Sequence, residues 1–198
     1  MGNTRSVEKA LARAGADVVR TAEADAARAA DGVVLPGVGA FPAGVERIRA
    51  LGLDELLAER VAAGAPLLGI CLGMQLLCER STEQGGANGL GLLAGEVSEL
   101  RPEGRKLPHI GWEPVEIEPD SELFAGLDSG SPFYFVHSFA ARPADSRVVV
   151  GRASWGERFA AAVESPPLYG VQFHPEKSSA AGIRLLENFA RVCTRIAA

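Results

Sequence analysis

The sequence predicts an α/β domain in three layers: a mostly parallel central sheet with helices on both faces, carrying an antiparallel β extension. Three observations predict it. Up to residue 80, amphipathic helical stretches alternate with short apolar runs, the pattern of parallel strands joined by helices. After residue 90 the texture changes to short β-like runs separated by Gly, Pro and Asp. Between the two, at GICLGMQ (69–75), a cysteine stands between glycines where an apolar run meets a helical one.

In chain order, residues 5–15 form an amphipathic helix, with Val7, Ala10, Leu11 and Ala14 on one face and Gly15 as the stop. Ala16–Val19 is a short strand, and the alanine-rich 22–30 is helical. Gly32–Leu35 is a buried strand ending in Pro36-Gly37-Val38-Gly39. Residues 43–63 are helical with a break at Gly52. Leu67–Ile70 is the next strand, and Met74–Arg80 reads as helix after it. Strands follow near 95–100, 113–118, 132–136, 147–153, 159–163 and 168–173, and a helix over 180–195 closes the chain. No repeat, linker or low-complexity tail interrupts it, so 1–198 is expected to be a single domain.

Composition narrows the function. Apolar residues make up 47% of the 198, enough for a packed core, and the net charge of −5 with no basic stripe argues against a nucleic-acid partner. No apolar stretch reaches membrane-spanning length, and the start is not a signal peptide. Three cysteines at irregular spacing argue against a disulfide framework and for a reducing, cytoplasmic setting. Cys71, Cys78, Cys193, His109, His137 and His174 show no C-x-x-C or H-x-x-x-H pairing, so no metal is expected. Cys78 and Cys193 are expected in the core.

G-x-C-x-G at 69–73 has the form of a nucleophile elbow, the thiol counterpart of G-x-S-x-G. It places Cys71 at a helix N-terminus, where the backbone dipole favours a thiolate. The Leu72 N–H, next in the chain, is placed to donate to an oxyanion. A thiol nucleophile needs a base. His174 ends an apolar strand in GVQFHPE, at the sheet edge where α/β sites assemble, and Glu176 two residues on can orient it. The glycine-flanked peptides of Gly37, Val38 and Gly39 can turn an N–H toward the same oxyanion. His137 either lines the site or is simply hydrogen-bonded. His109 sits among loop residues and is expected to be structural or interfacial.

These pieces resemble the class I glutamine amidotransferases, and more narrowly the glutaminase subunits of imidazole glycerol phosphate synthase. The matching stretches are GNTRSVEKAL (2–11), LPGVGAF (35–41), GICLGMQLLCERSTE (69–83), GLGLLAGEV (89–97), PHIGW (108–112), LFAGL (123–127), FYFVHSF (133–139) and GVQFHPEKS (170–178). The resemblance implies a flavodoxin-like fold and a Cys71–His174–Glu176 triad that hydrolyses glutamine without a cofactor. It implies an oxyanion hole from Leu72 and from Gly37–Gly39, one peptide of which flips into place. It assigns Gly73, Gln75, Glu83, His137, Ser138 and Phe139 to the glutamine pocket, with Glu83 pairing with the substrate's α-ammonium.

The resemblance also implies a partner, a (β/α)₈-barrel cyclase that receives the ammonia and makes imidazole glycerol phosphate and AICAR in histidine biosynthesis. Trp112, Tyr134 and Lys177 match positions at that interface. Two departures stand out. Glu113 replaces the Asn that usually follows PHIGW. Met1 occupies the place of an Asp-Tyr-Gly loop, so the chain is expected to lack the family's first strand, roughly ten residues with its loop. PHIGW and PGVGAF argue against glutaminases of the anthranilate, aminodeoxychorismate or pyridoxal phosphate pathways, and the complete triad argues against a non-catalytic scaffold.

Overall fold

Helix α1 (Thr4–Arg13) buries Val7, Ala10 and Leu11, and Gly15 at φ +89° ends it. The computed structural model describes residues 4–196. The matched residues Gly2 and Asn3, and the place of the expected missing strand, lie outside them. After α2 (Ala24–Ala29), strand β1 (Val33–Gly37) leads into helices α3 (Phe41–Ala50) and α4 (Leu53–Ala62), separated by Gly52 at φ +63°. Strand β2 (Leu67–Cys71) is buried throughout and runs straight into the short helix α5 (Leu72–Leu76).

The second half supplies β3 (Cys78–Ser81), β4 (Ala87–Asn88), β5 (Leu93–Glu99), β6 (His109–Ile117), β7 (Ser131–His137) and β8 (Phe139–Pro143). Then come β9 (Val149–Trp155), β10 (Glu157–Ser165), β11 (Leu168–Val171) and the closing helix α6 (Ser179–Ile196). Seven strands form the central sheet in the order β1-β2-β11-β10-β9-β6-β7, with β1, β2 and β11 parallel and the rest antiparallel. A smaller sheet, β4-β3-β5-β8, lies beside it.

Alternation along β2 divides the core. Leu68 and Ile70 face the layer that holds α1 and α6, where Leu11, Phe133, Phe173, Leu185 and Phe189 pack. Leu67 faces the layer of α3, α4 and α5, with Phe41, Ile48, Leu57 and Met74. The expected three-layer arrangement is therefore present.

Three expectations fail for stated reasons. Ala16–Val19 forms no strand: the segment has no ladder partners, and Val19 is exposed. Its adjacent β-branched Val18 and Val19 suit a sheet, but among the described residues β1 pairs with β2 alone. The helix expected through Arg80 stops at Leu76. There the carbonyls of Leu76 and Leu77 accept from Leu90, Leu92 and Leu93, and Cys78–Ser81 pairs with β5 instead. Long-range pairing overrides local helical preference. His109 is not in a loop but opens β6, opposite His137 in the ladder. Of the cysteines expected in the core, Cys78 is fully buried, whereas Cys193 is half-buried and packs against the α6 layer.

Candidate active site

Register brings the site together. In the parallel ladders Gly37 lies beside Cys71, and Ile70 beside Val171. The three strands thus end at one edge, and the residues that follow them meet there: Val38–Gly39 after β1, Leu72 after β2, and Gln172–His174 after β11. This is the C-terminal edge at which α/β sheets collect their sites.

Cys71 holds φ +54° and ψ −112°, a conformation that a side chain resists. The neighbouring glycines make that turn possible. A methyl on Gly69 would sit 2.6 Å from the Met74 nitrogen, and one on Gly73 would run into the Leu35 carbonyl. Gly73 therefore serves close packing of α5 on β1. The turn leaves the Cys71 side chain at the wall of a cavity of about 300 Å³.

His174 is fixed through its backbone. Its N–H donates to the Tyr134 carbonyl, and its own carbonyl accepts from the Ser178 hydroxyl at 2.7 Å, while that hydroxyl oxygen accepts the Tyr134 N–H. Its Nδ1 lies 2.8 Å from Glu176 Oε1, and both side chains are buried. Nδ1 is thereby occupied, leaving Nε2 for the hydrogen bond to Cys71. Burial opposes a charge on this imidazole, but the hydrogen bonds with Cys71 and Glu176 outweigh it and push the pKa up to about 9.

The same cavity is lined by Val38, Gly39 and Leu72 from the expected oxyanion segments. Gln75, Glu83, His137, Ser138 and Phe139, the expected glutamine-pocket residues, also reach it. Gly73 does not, and Gly37 borders an adjoining apolar cavity instead. Glu83 does more than face the pocket: its Oε2 accepts the Phe41 N–H at 2.8 Å. It caps α3, whose own cap residue, Ala40, offers no side-chain acceptor, and so ties down the end of the Gly37–Gly39 segment.

Of the expected interface residues, Lys177 lines the cavity rim. Trp112 is 48% exposed and meets Tyr134 edge-on, with ring centres 5.8 Å apart. Lys177 Nζ lies 5.6 Å over the same Tyr134 ring. Glu113, on the same strand, lies 3.7 Å from Arg105 and 4.0 Å from His109 Nε2.

One residue escaped the sequence reading, and His109, expected to be structural or interfacial, proves structural. Gln172, fully buried, places Nε2 3.7 Å from the Cys71 sulfur. Its only signal is a polar side chain inside the apolar run Val171–Phe173. His109 stacks on Trp155 and Phe135 and hydrogen-bonds through Nδ1 to His137 Nε2 at 3.2 Å, while His137 Nδ1 bonds the Phe139 carbonyl at 2.9 Å. A carbonyl only accepts, so His137 donates from Nδ1 and must accept at Nε2 from His109. Burial depresses both, to about 3 for His137 and about 4 for His109, so they are neutral fixtures of the wall. Among the described residues no group of three His, Cys, Asp or Glu side chains is clustered as metal ligands.

Comparisons with known proteins bear on the family and the fold. The profile of the family "Glutamine amidotransferase class-I" matches residues 1–193. A Nocardia farcinica protein described as "Imidazole glycerol phosphate synthase subunit HisH" is 48% identical, the match covering 95% of this chain and 92% of that one. A protein of the same description from Aquifex aeolicus is 45% identical, over 99% and 95%. Among solved structures, a glutamine amidotransferase superposes with a TM-score of 0.76 at 21% identity, covering 98% of this chain and 95% of that one. At that identity the likeness speaks for the fold.

Proposed function

The chain belongs to the class I glutamine amidotransferases, among the HisH subunits of imidazole glycerol phosphate synthase, and we propose that Cys71, His174 and Glu176 carry out its chemistry. It is the glutaminase subunit of that synthase, in histidine biosynthesis. The observation that supports the residue assignment is the joining of a strained, helix-leading cysteine to a buried His–Glu pair in one small cavity.

In this reading the Cys71 proton passes to His174 Nε2 before glutamine is attacked, giving the charged imidazole that Glu176 holds, and the Cys71 sulfur then attacks the side-chain carbon of glutamine. The oxyanion forms beside the Leu72 N–H, with a peptide of Gly37–Gly39 as second donor; Gly39 at φ +104° leaves that segment free to turn. One such donor is worth about 3–4 kcal/mol of barrier, enough to hold the resting enzyme nearly idle until the segment turns. His174 returns the proton to departing ammonia, and water then hydrolyses the glutamyl thioester to glutamate. Glu83 holds the α-ammonium while capping α3, so substrate and oxyanion segment share one carboxylate. The cavity is at the small end of ligand pockets, fitting an amino acid.

As a subunit, the chain works with a partner. We assign that partner as a (β/α)₈-barrel cyclase seated over Trp112, Tyr134 and Lys177, taking ammonia from the adjacent site and making imidazole glycerol phosphate and AICAR. An exposed Trp beside a Tyr is the composition of an interface hot spot, and Lys177 adds a cation over the Tyr134 ring. Among the described residues no helix is long and apolar enough to cross a membrane, and all three cysteines are free thiols. These support a cytoplasmic setting.

The test is glutamate formation from glutamine by the chain with the cyclase barrel and its nucleotide ligand, beside Cys71→Ala. Activity that requires the barrel and vanishes in the variant is expected. Equal activity in Cys71→Ala removes the cysteine from the mechanism.

A further inference from the structure

Gln75 lines the cavity as expected of a glutamine-pocket residue, and both N–H groups of its amide are committed to the protein. Gln75 Nε2 lies 2.8 Å from the Phe139 carbonyl and 3.0 Å from Gln172 Oε1. The carbonyl can only accept, so the Gln75 amide must present its nitrogen there. That nitrogen then has to find an acceptor on Gln172, which fixes the Gln172 oxygen toward Gln75. The Gln172 amide nitrogen is left facing the Cys71 sulfur at 3.7 Å, within reach of an N–H···S bond. No rotation of either amide preserves this set of bonds. The backbone of Gln172 is held as well, its N–H donating to Ala161 at 2.8 Å.

We propose that Gln172 is a further catalytic residue: its amide N–H donates to the Cys71 sulfur and favours the thiolate from which attack begins. The other neighbour of that sulfur supports the same division of labour. The Val136 carbonyl, 3.9 Å away, accepts from the thiol proton and disfavours an anion. When the proton passes from Sγ to His174 Nε2, the sulfur keeps the bonding electron pair and loses its bond to Val136. Gln172 is then the donor that meets the new charge, and hydrogen bonds to charged groups are the strong ones. Gln75 acts as a positioning residue that locks the Gln172 amide in the donating sense. This inference rests on the glutaminase reading for its consequence in turnover, but not for its test.

The experiment is alkylation of Cys71 by iodoacetamide in the intact chain without glutamine, from pH 5 to 10, for wild type, Gln172→Leu and Gln172→Glu. The modified peptide is identified by mass spectrometry. Burial pushes the other two thiols up, Cys78 to about 12 and Cys193 to about 11, so they react poorly in this range. Gln172→Leu removes the donor; Gln172→Glu keeps an acceptor for Gln75 and sets an oxygen against the sulfur. Alkylation at pH 7 is expected to fall about tenfold or more in both, with the whole pH profile displaced upward. Folded variants that keep the wild-type profile overturn the proposal, even if their turnover falls.

Should either variant fail to fold, the intact chain still decides. In Cys71→Ser the Gln172 side-chain amide proton signals are expected to move, because their acceptor has changed. Signals that stay in place overturn the proposal. Neither measurement needs glutamine hydrolysis, so a chain with no glutaminase activity would still report on Gln172.

Discussion

His174 carries a charge that its burial opposes, and this makes it a reporter on the site. Its folded pKa of about 9 lies above the ordinary 6.5, because Cys71 and Glu176 together outweigh desolvation. A raised folded pKa stabilises the fold when the group is protonated in both states, and the benefit is lost as pH climbs. The contribution is therefore complete below about pH 6.5 and gone above about pH 9. Glu176→Gln keeps a hydrogen-bond acceptor and removes the carboxylate charge, so the decline of stability between pH 6.5 and 9 should flatten. Urea unfolding at three pH values, wild type against variant, reads this directly. Parallel decline in the two proteins would mean that Glu176 does not hold the imidazolium. Turnover should fall in the same variant by about 10²-fold or more, since a misoriented base loses its proton-transfer role.

At the scale of elements, two glycines that follow adjacent strands, Gly39 after β1 and Gly73 in α5, separate fold from chemistry. Gly73 leaves no room: a methyl there meets the Leu35 backbone, which cannot move without parting β1 from α5. Gly73→Ala is expected to cost about 3 kcal/mol or more and to lower soluble yield. Gly39 has open space around it but holds φ +104°. Gly39→Ala should cost only about 1–2 kcal/mol of backbone strain, a shift of a few degrees in Tm. Its turnover should nonetheless drop at least about tenfold, because the segment that supplies the second oxyanion donor loses its freedom to turn. Calorimetry and steady-state kinetics on the two variants give the contrast. If Gly39→Ala keeps full kcat, the Gly37–Gly39 segment need not turn for catalysis.

At the scale of the whole molecule, legibility in the sequence followed the range of the forces involved. The elbow, β1, β2 and the helices α1, α3, α4 and α6 were readable because periodicity, glycine and apolar runs are local signals. Helix α5 ending at Leu76, the strand Cys78–Ser81 and the unexpected β8 were not, because partners far along the chain decide them. The proposed triad was legible from the chemistry of its residue types, whereas the Gln75–Gln172 lock and the His109–His137 pair required the register that brings them together.

That register also joins the outer face to the site. Trp112 and Tyr134 are opposite one another in the β6–β7 ladder, and the Tyr134 backbone both accepts from His174 and donates to Ser178. A partner seated on these rings, as proposed, would therefore bear on the strand that holds His174, the proposed catalytic base. Trp112→Ala should weaken partner binding by about 2 kcal/mol, near thirtyfold in Kd, while leaving kcat close to wild type once the partner is saturating. Ser178→Ala should do the reverse, leaving Kd unchanged and lowering kcat at saturation, since it frees the His174 loop without touching the exposed face. Titration calorimetry for Kd and glutamate release at saturating partner separate the two. A Trp112→Ala chain that binds its partner as tightly as wild type would place the docking surface elsewhere on the molecule.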